Sequence, residues 1–196
     1  MKNLGLLFSA SIMLAFVSCN DGKKQTDDIE IDDTIQVETP TEAKEVPKTL
    51  SVKMDAKSDS GVMGEAFFSE ENGVVRMEAK FTGMKPGKHA IHLHEKADCS
   101  AGDGTSAGGH WNPTLEKHGK WGDATGYHKG DIGNFEADDE GNGKITFETE
   151  EWCIGCDDEK KNIVGKSIIV HEGVDDYVSQ PTGDAGGRVA CGGIIK

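Results

Sequence analysis

The histidines are the residues whose type and spacing most clearly suggest chemistry. The chain has 196 residues and seven histidines, all between positions 89 and 171. His92 and His94 are one residue apart, and on a β-strand such residues point to the same face. They could offer two imidazoles to one metal ion, although this pattern alone is weak evidence. His171 ends an apolar run and could approach the same face from another strand.

A glycine-rich segment supplies a second group of metal-binding side chains, which are His110, His118, His128 and Asp131. Three imidazoles and one carboxylate would complete a tetrahedral zinc site with no open position, and such a site is structural. Each of these residues alone could simply be hydrogen-bonded or solvated in a loop. Their gathering in one short segment favours a metal.

The elements that must position these side chains are β-strands. Apolar and polar residues alternate over 50–54, over 75–81 and over 145–149, and Asn72-Gly73 is typical of a tight turn between strands. Residues 135–137 and 145–149 predict a hairpin around 138–143, and 168–171 and 188–194 predict two more strands. About eight strands and no convincing helix predict an all-β, antiparallel barrel or sandwich. The segments 95–131 and 172–187 are long loops, which are usually functional or disordered.

The charge of the chain excludes some partners. It has 21 basic and 35 acidic residues, a formal net charge of −14. Such a chain is a poor ligand for the phosphates of nucleic acid, so we expect no nucleic-acid partner. It is equally unsuited to electrostatic docking on an anionic membrane.

The N-terminus predicts export and a lipid anchor. Residues 4–17 are apolar but too short for a bilayer, which takes about 20 residues, and small Ser18 precedes Cys19. We interpret 1–18 as a signal peptide and Cys19 as a lipidated residue, as in bacterial lipoproteins. Ordinary cleavage that leaves Cys19 as a free thiol is the alternative. Residues 19–47 are acidic and poor in apolar side chains, which predicts a disordered tether that holds the domain 48–196 off a membrane. The expected location is therefore periplasmic or at the cell surface.

Six motifs relate the chain to a family. They are Gly87–Glu95, Gly108–Pro113, Lys117–Gly119, His128–Asn134, Ile169–Glu172 and Gly187–Gly192. In sequence and order they resemble the signature motifs of copper,zinc superoxide dismutases, over about residues 49–196. The similarity is greater to the exported bacterial branch. It implies an eight-stranded Greek-key barrel with two long functional loops.

The resemblance implies a role for each position. One copper ion per subunit would bind His92, His94, His110 and His171. One zinc ion would bind His110, His118, His128 and Asp131, with His110 bridging the two metals. Asp175 would hydrogen-bond one histidine of each site, and Arg188 would lie over the open copper face and hold the anion. His89 matches no ligand position, and we expect it to be exposed.

The implied activity is dismutation of superoxide to dioxygen and hydrogen peroxide by alternating Cu(II) and Cu(I), with proton transfer through His110. The main alternative is a non-enzymatic domain that delivers or stores copper and zinc. An adhesion module and a copper-only dismutase are less consistent with the filled ligand positions and with Arg188. A homodimer is compatible with the sequence.

The cysteines and lysines leave two open questions. Cys99 and Cys191 match the family disulfide, whereas Cys153 and Cys156 fall outside the pattern. A local disulfide is the favoured state of this second pair, and a redox dithiol or a soft copper site are the alternatives.

Residues 172–187 contain no lysine or arginine. Attraction of superoxide would then depend on Arg188 and on one or more of four lysines, Lys96, Lys117, Lys120 and Lys129.

Overall fold

The computed structural model describes residues 46–196, and over this range the chain forms a closed barrel of eight antiparallel strands. The strands are β1 (Lys48–Ala56), β2 (Met63–Glu71), β3 (Val74–Thr82), β4 (Gly87–His94), β5 (Gly133–Ala137), β6 (Gly143–Thr149), β7 (Ser167–His171) and β8 (Arg188–Gly193). A 3-10 turn at Thr105–Ala107 is the one helical element within the described range. The all-β prediction is confirmed.

The hairpin of β2 and β3 shows how local sequence builds the barrel. Asn72 and Gly73 have φ of 52° and 77°, the left-handed conformation that a two-residue hairpin turn requires. Their turn aligns Phe68 with Met77, so that both side chains point into the barrel and are fully buried. Alternation along each strand therefore places one face in the core and the other in solvent.

The strand order around the barrel is β1-β2-β3-β6-β5-β4-β7-β8, so β3 is followed in space by β6. This crossover is of the Greek-key type. The predicted hairpin of 135–137 and 145–149 is confirmed, because β5 and β6 pair as antiparallel neighbours, although their pairing is short. β5 and β6 share one pair, Ala137 with Gly143, whereas β6 pairs along its length with β3. The two strands diverge because each completes its hydrogen bonds with its other neighbour.

The strands that carry the histidines, β4 and β7, are buried on both faces. Ile91, Leu93, Ile168 and Val170 point into the barrel and belong to its main core. The alternate residues point to the outer face, which loops cover. A polar side chain on that face is therefore held in a dry environment on a rigid strand.

Three long connections leave the barrel. Residues 95–132 and 172–187 correspond to the predicted loops, and 150–166 is a third that the sequence did not predict. The predicted signal peptide, Cys19 and nearly all of the predicted tether lie outside the described residues. Within residues 46–196 there is no helix long and apolar enough to cross a membrane.

Candidate metal centre

Four histidines converge on the outer face of β4 and β7. His92, His94, His110 and His171 each place one ring nitrogen in a group whose members all lie within 4.8 Å of one another. All four are buried, and His92 and His94 are inaccessible to solvent. The i, i+2 spacing on β4 and the pairing of β4 with β7 bring three of them together. His110 arrives from the long loop after β4.

Backbone hydrogen bonds fix the position of His110. The Trp111 N–H donates to the Leu93 carbonyl (2.8 Å), and the Leu93 N–H donates to the Gly130 carbonyl (2.9 Å). The loop thus adds to β4, and His110 forms a bridge opposite His94. A side chain at position 130 would collide with the Leu93 carbonyl and lie 3.1 Å from the Trp111 nitrogen. Glycine at 130 is therefore needed for this close approach.

The second cluster contains His110, His118, His128 and Asp131, again with ligand atoms within 4.8 Å. The Asp131 carboxylate lies 2.9 Å from His110 Nδ1, 3.0 Å from His118 Nδ1 and 3.3 Å from His128 Nδ1. Its Oδ2 also accepts the N–H groups of Gly119 (3.2 Å) and His128 (2.8 Å). These backbone bonds hold the carboxylate in place independently of any metal.

Asp175 joins the two clusters. Its Oδ2 accepts from His92 Nε2 (2.9 Å) and its Oδ1 accepts from His118 Nε2 (2.8 Å), so that one carboxylate orients a histidine of each cluster. The Tyr177 N–H donates to Oδ1 as well (2.7 Å). Gly183 lies directly over this contact, where a Cβ would collide with Asp175 and would be 2.6 Å from His118 Nε2. Only glycine fits there.

The donor set fits a pair of metal ions. Six buried ring nitrogens have no hydrogen-bond partner, namely Nδ1 of His92, His118 and His128 and Nε2 of His94, His110 and His171. Buried polar atoms are normally satisfied, so six that converge on two points fit the ligands of two metal ions. The other nitrogen of His92 and of His118 donates to Asp175, and that of His94 donates to the Gly108 carbonyl (2.9 Å). Such hydrogen bonds fix the tautomer of the ring, in which the other nitrogen is unprotonated and directs its lone pair toward the metal position.

Electrostatics separate the two clusters. Burial lowers the pKa of His94 and of His171 well below the ordinary histidine value, and it lowers that of His110 to about 4. Burial also acts on His118, but its contacts with the carboxylates of Asp131 and Asp175 outweigh it and raise its pKa to about 9. The first cluster therefore favours neutral imidazoles. In the second cluster, the carboxylates stabilise a positive charge at His118, and a bound cation could supply that charge.

Arg188 lies beside the first cluster because of a bulge. The β7–β8 register shifts after Val170, and this shift places Arg188 opposite His171. Nη1 donates to the Gly104 carbonyl (2.7 Å), and Nη2 donates to the Gly108 carbonyl (2.8 Å). Gly108 O is thus shared by Arg188 and His94. Burial lowers the pKa of Arg188, and Asp103 partly offsets that effect.

The sequence did not predict the positions of two side chains at this site, His89 and Lys57. His89 is buried, so the expectation that it is exposed is wrong. Its Nδ1 lies 3.0 Å from the His171 carbonyl and its Nε2 lies 2.7 Å from the Lys85 carbonyl, because its side chain lies on the inward face of β4. Lys57 donates to the Cys99 carbonyl (2.6 Å), and its stem lies next to Gly104, as the Arg188 stem does. No local pattern indicates that the end of β1 reaches this loop.

The lysines expected to attract an anion differ in their surroundings. Lys129 is paired with Glu151, so its charge is locally compensated. Lys96, Lys117 and Lys120 are exposed. Lys96, Lys117 and Lys120 therefore remain candidates for attracting the anion, and the structure adds Lys57 as a fourth.

Both predicted disulfides are present. Cys99–Cys191 ties the long loop to β8, with a Cα–Cα distance of 5.8 Å. Cys153–Cys156 is a local bridge in the loop 150–166, with a Cα–Cα distance of 6.0 Å. Of the three states considered for the second pair, the structure has the disulfide.

The fold and site together define a class, a Greek-key barrel with two adjacent clusters of potential metal ligands that share a histidine, and with an arginine beside one of them. The comparisons agree. A family model described as copper/zinc superoxide dismutase matches residues 62–194. The chain is 35% identical to superoxide dismutase (Cu-Zn) 2 of Aquifex aeolicus (strain VF5), over 70% of this chain and 81% of that protein.

A solved structure shows the same similarity. The crystal structure of a double mutant of a SOD-like protein from Bacillus subtilis superimposes with a TM-score of 0.66 at 30% identity. The alignment covers 74% of this chain and 97% of that one. The chain belongs to the copper/zinc superoxide dismutase family, and its enzyme class is superoxide dismutase.

Proposed function

We propose that this superoxide dismutase binds one copper ion at His92, His94, His110 and His171 and one zinc ion at His110, His118, His128 and Asp131, and that it acts outside the cytoplasm. The observation that carries the proposal is the convergence of six unpartnered, buried ring nitrogens on two points that share His110. Imidazole suits both copper and zinc, and the lone carboxylate in the second cluster suits zinc.

Copper at the first cluster would supply the one-electron redox chemistry that dismutation of superoxide requires. Arg188 binds and orients the anion, since its guanidinium stays charged at working pH and its backbone contacts fix its direction. His110 Nε2 holds the proton that peroxide formation consumes.

Zinc would act through structure rather than redox chemistry, because it has a single accessible oxidation state. Its positive charge would balance the carboxylates of Asp131 and Asp175, in place of the proton that His118 carries without metal. Through Asp175 it would also hold His92, which is a copper ligand in this proposal. The second cluster therefore supports the geometry of the first.

The competing function is a non-enzymatic domain that delivers or stores the two metals. Arg188 distinguishes the two functions, because metal storage has no use for a partly buried cation beside the copper ligands. Burying a guanidinium has a cost, and two carbonyl oxygens are committed to holding it in place. This arrangement is consistent with recognition of an anionic substrate.

A direct test uses the full chain loaded with both metals. We expect superoxide consumption that falls by at least about 100-fold in His110→Ala and by about 10-fold or more in Arg188→Ala, as for loss of a group that stabilises the reacting charge. Lys80→Ala is the matched control for charge, because Lys80 is an exposed cation on β3. Metal content, measured by mass spectrometry, must be unchanged in Arg188→Ala. A loaded chain that does not consume superoxide would favour storage.

The proposed location depends on Cys19. We infer that Cys19 is lipidated after cleavage of residues 1–18 and that the chain is held at a membrane in the periplasm or at the cell surface. The support is the short apolar run that ends at Ser18-Cys19. Mass spectrometry of the mature protein should show an acylated N-terminal cysteine, and Cys19→Ala should move the protein to the soluble fraction. A membrane-bound Cys19→Ala protein would contradict the inference.

Light scattering of the purified protein would test whether it forms a homodimer.

A further inference from the structure

The disulfide Cys153–Cys156 has no part in the proposed function. It lies in the loop 150–166, where Cys153 stands between Trp152 and Ile154, two core residues that are 1% and 2% exposed. Cys153 is buried as well, at 7% exposed, whereas Cys156 is partly exposed. Cys156 is therefore the cysteine of the pair that a reagent meets first.

The loop around the two cysteines is held by hydrogen bonds that do not involve the sulfur atoms. Asn162 Oδ1 accepts the Gly155 N–H (3.0 Å), and Asn162 Nδ2 donates to the Cys156 carbonyl (2.9 Å). The Cys153 N–H donates to the Lys161 carbonyl (2.8 Å). The same backbone can therefore accommodate the disulfide and the dithiol.

A second anchor comes from another strand. The Ile154 N–H donates to Glu70 Oε2 of β2 (2.6 Å), and the Ile163 N–H donates to the Cys153 carbonyl (3.1 Å). Cys156 Sγ lies 3.8 Å from the Asp158 carbonyl, an acceptor that the thiol of the reduced form would meet. Reduction would break one covalent bond within a turn that other contacts define.

A cation lies against the turn between the two cysteines. Gly155 has φ of +68°, which favours glycine, and the Lys196 ammonium reaches the place where a side chain at Gly155 would begin. A nearby ammonium stabilises a thiolate, which is the species that leaves when a disulfide is attacked. Lys196 is therefore the candidate for stabilising the leaving thiolate.

We propose that Cys153–Cys156 is a thiol–disulfide exchange site that accepts two electrons from a dithiol. A thiolate of the dithiol attacks Cys156 Sγ, the Cys153–Cys156 bond breaks, and Cys153 leaves as a thiolate, with the Lys196 ammonium at Gly155 of the same turn. The second thiolate of the reagent then attacks its own sulfur in the mixed disulfide and releases Cys156. The dithiol becomes a disulfide, and its two protons pass to Cys153 and Cys156.

The other disulfide is a built-in comparison. Cys191 is 1% exposed, and its strand β8 pairs with both β1 and β7. Cys99–Cys191 also joins residues 92 apart, so its reduction frees a long loop, whereas Cys153 and Cys156 are three apart. Exchange at the short bridge should therefore occur while the long one stays closed.

The test exposes the folded full chain to increasing dithiothreitol, quenches with acid, alkylates and maps the labelled peptides by mass spectrometry. We expect Cys153 and Cys156 to be labelled at dithiol concentrations at least about tenfold below those that label Cys99 and Cys191. Near-ultraviolet circular dichroism should be unchanged at that point, because the loop stays folded. Cys19 is mapped on a separate peptide and does not interfere.

Two variants separate exchange chemistry from simple exposure. Lys196→Gln should slow reduction of the short bridge by about threefold, because the leaving thiolate loses its ammonium partner. Lys160→Gln makes the same charge change at an exposed lysine of the same loop and should leave the rate unchanged. Reduction of both disulfides at the same dithiol concentration, or equal rates in Lys196→Gln and the unmodified chain, would overturn the proposal. Failure of the dismutase assay would not affect it, because no metal takes part.

Discussion

Replacing Asp175 with asparagine should separate the two metal sites. Asp175 is fully enclosed and accepts three hydrogen bonds, from His92 Nε2, His118 Nε2 and the Tyr177 N–H. Asparagine has the same shape but offers one oxygen and one NH₂ group. Whichever way the amide turns, one histidine faces a donor instead of an acceptor. That ring must then protonate its other nitrogen, which is the atom directed toward a metal.

The size of the effect follows from the lost bond. A hydrogen bond to a buried charged group contributes about 1.5–3 kcal/mol. This range corresponds to a loss of about 10–100-fold in affinity for at least one metal, which is typical of mutations in residues that orient metal ligands. Gly183→Ala should act in the same direction, because its Cβ would collide with Asp175 and press on His118.

Affinity would be measured by competition with chelators of known strength, for copper and zinc separately, on the full chain. The control is Asp176→Asn, which removes the same charge from the exposed neighbouring residue and should keep both affinities. If Asp175→Asn binds both metals within about twofold of the unmodified chain, then Asp175 does not orient the ligands.

Three further predictions concern stability, pH and substrate attraction. Removing Cys99–Cys191 by serine substitution should lower the free energy of unfolding by about 4–5 kcal/mol in the entropic model, and removing Cys153–Cys156 by about 2 kcal/mol or less; equal losses in urea titrations would contradict this difference. The metal-free chain should be most stable near pH 6.5. The raised pKa of His118, about 9, gives stability that is lost as the pH rises from about 6.5 to 9, and the lowered pKa values of His94 and His171 penalise folding as the pH falls below about 6.5. Zinc should remove the alkaline limb, and thermal melts that show a monotonic pH dependence without metal would refute this. Lys57→Gln should lower the rate of superoxide consumption at low ionic strength and weaken its salt dependence, whereas Lys144→Gln on β6 should change neither; identical salt profiles for both variants would exclude Lys57.

Much of the fold could be predicted because its signals are local. Alternation in β1 and β3 and the Asn72-Gly73 turn specify strands and a hairpin through neighbouring residues alone. The metal-site residues could be identified because histidines are few and their motifs occur in order. Which nitrogen each ring directs inward, however, depends on a partner distant in sequence, such as Asp175 for His92.

The failures have a common physical cause. His89 matches no ligand position and is therefore predicted to be exposed, but it shares the inward face of β4 with Ile91 and Leu93 and bonds to the carbonyls of Lys85 and His171. Lys57 reaches the site because β1 pairs with β8, and β8 carries Arg188. Both are consequences of barrel closure, which brings together residues more than 80 positions apart. A single sequence without its relatives carries no local signal of such contacts.

Closure also explains how an acidic domain can attract an anion. The first 45 residues hold 4 lysines and 9 acidic residues, so 17 basic and 26 acidic residues remain in 46–196, a net charge of −9. Most of the negative charge therefore belongs to the domain itself and not to the N-terminal segment. Exposed acids beyond about 8 Å are screened at physiological salt.

The local field depends instead on what is held near the copper ligands. The stems of Arg188 and Lys57 both lie next to Gly104, and each cation donates to a backbone carbonyl of the same loop. Partly buried charges are screened less than exposed ones, so salt weakens the attraction of a small anion by these cations less than its repulsion by the surface acids. Net charge describes the far field, whereas the near field depends on the cations that the loop between Cys99 and Gly108 holds. The disulfide Cys99–Cys191 anchors to β8 the loop whose carbonyls accept these hydrogen bonds, and it therefore helps to hold both cations in place.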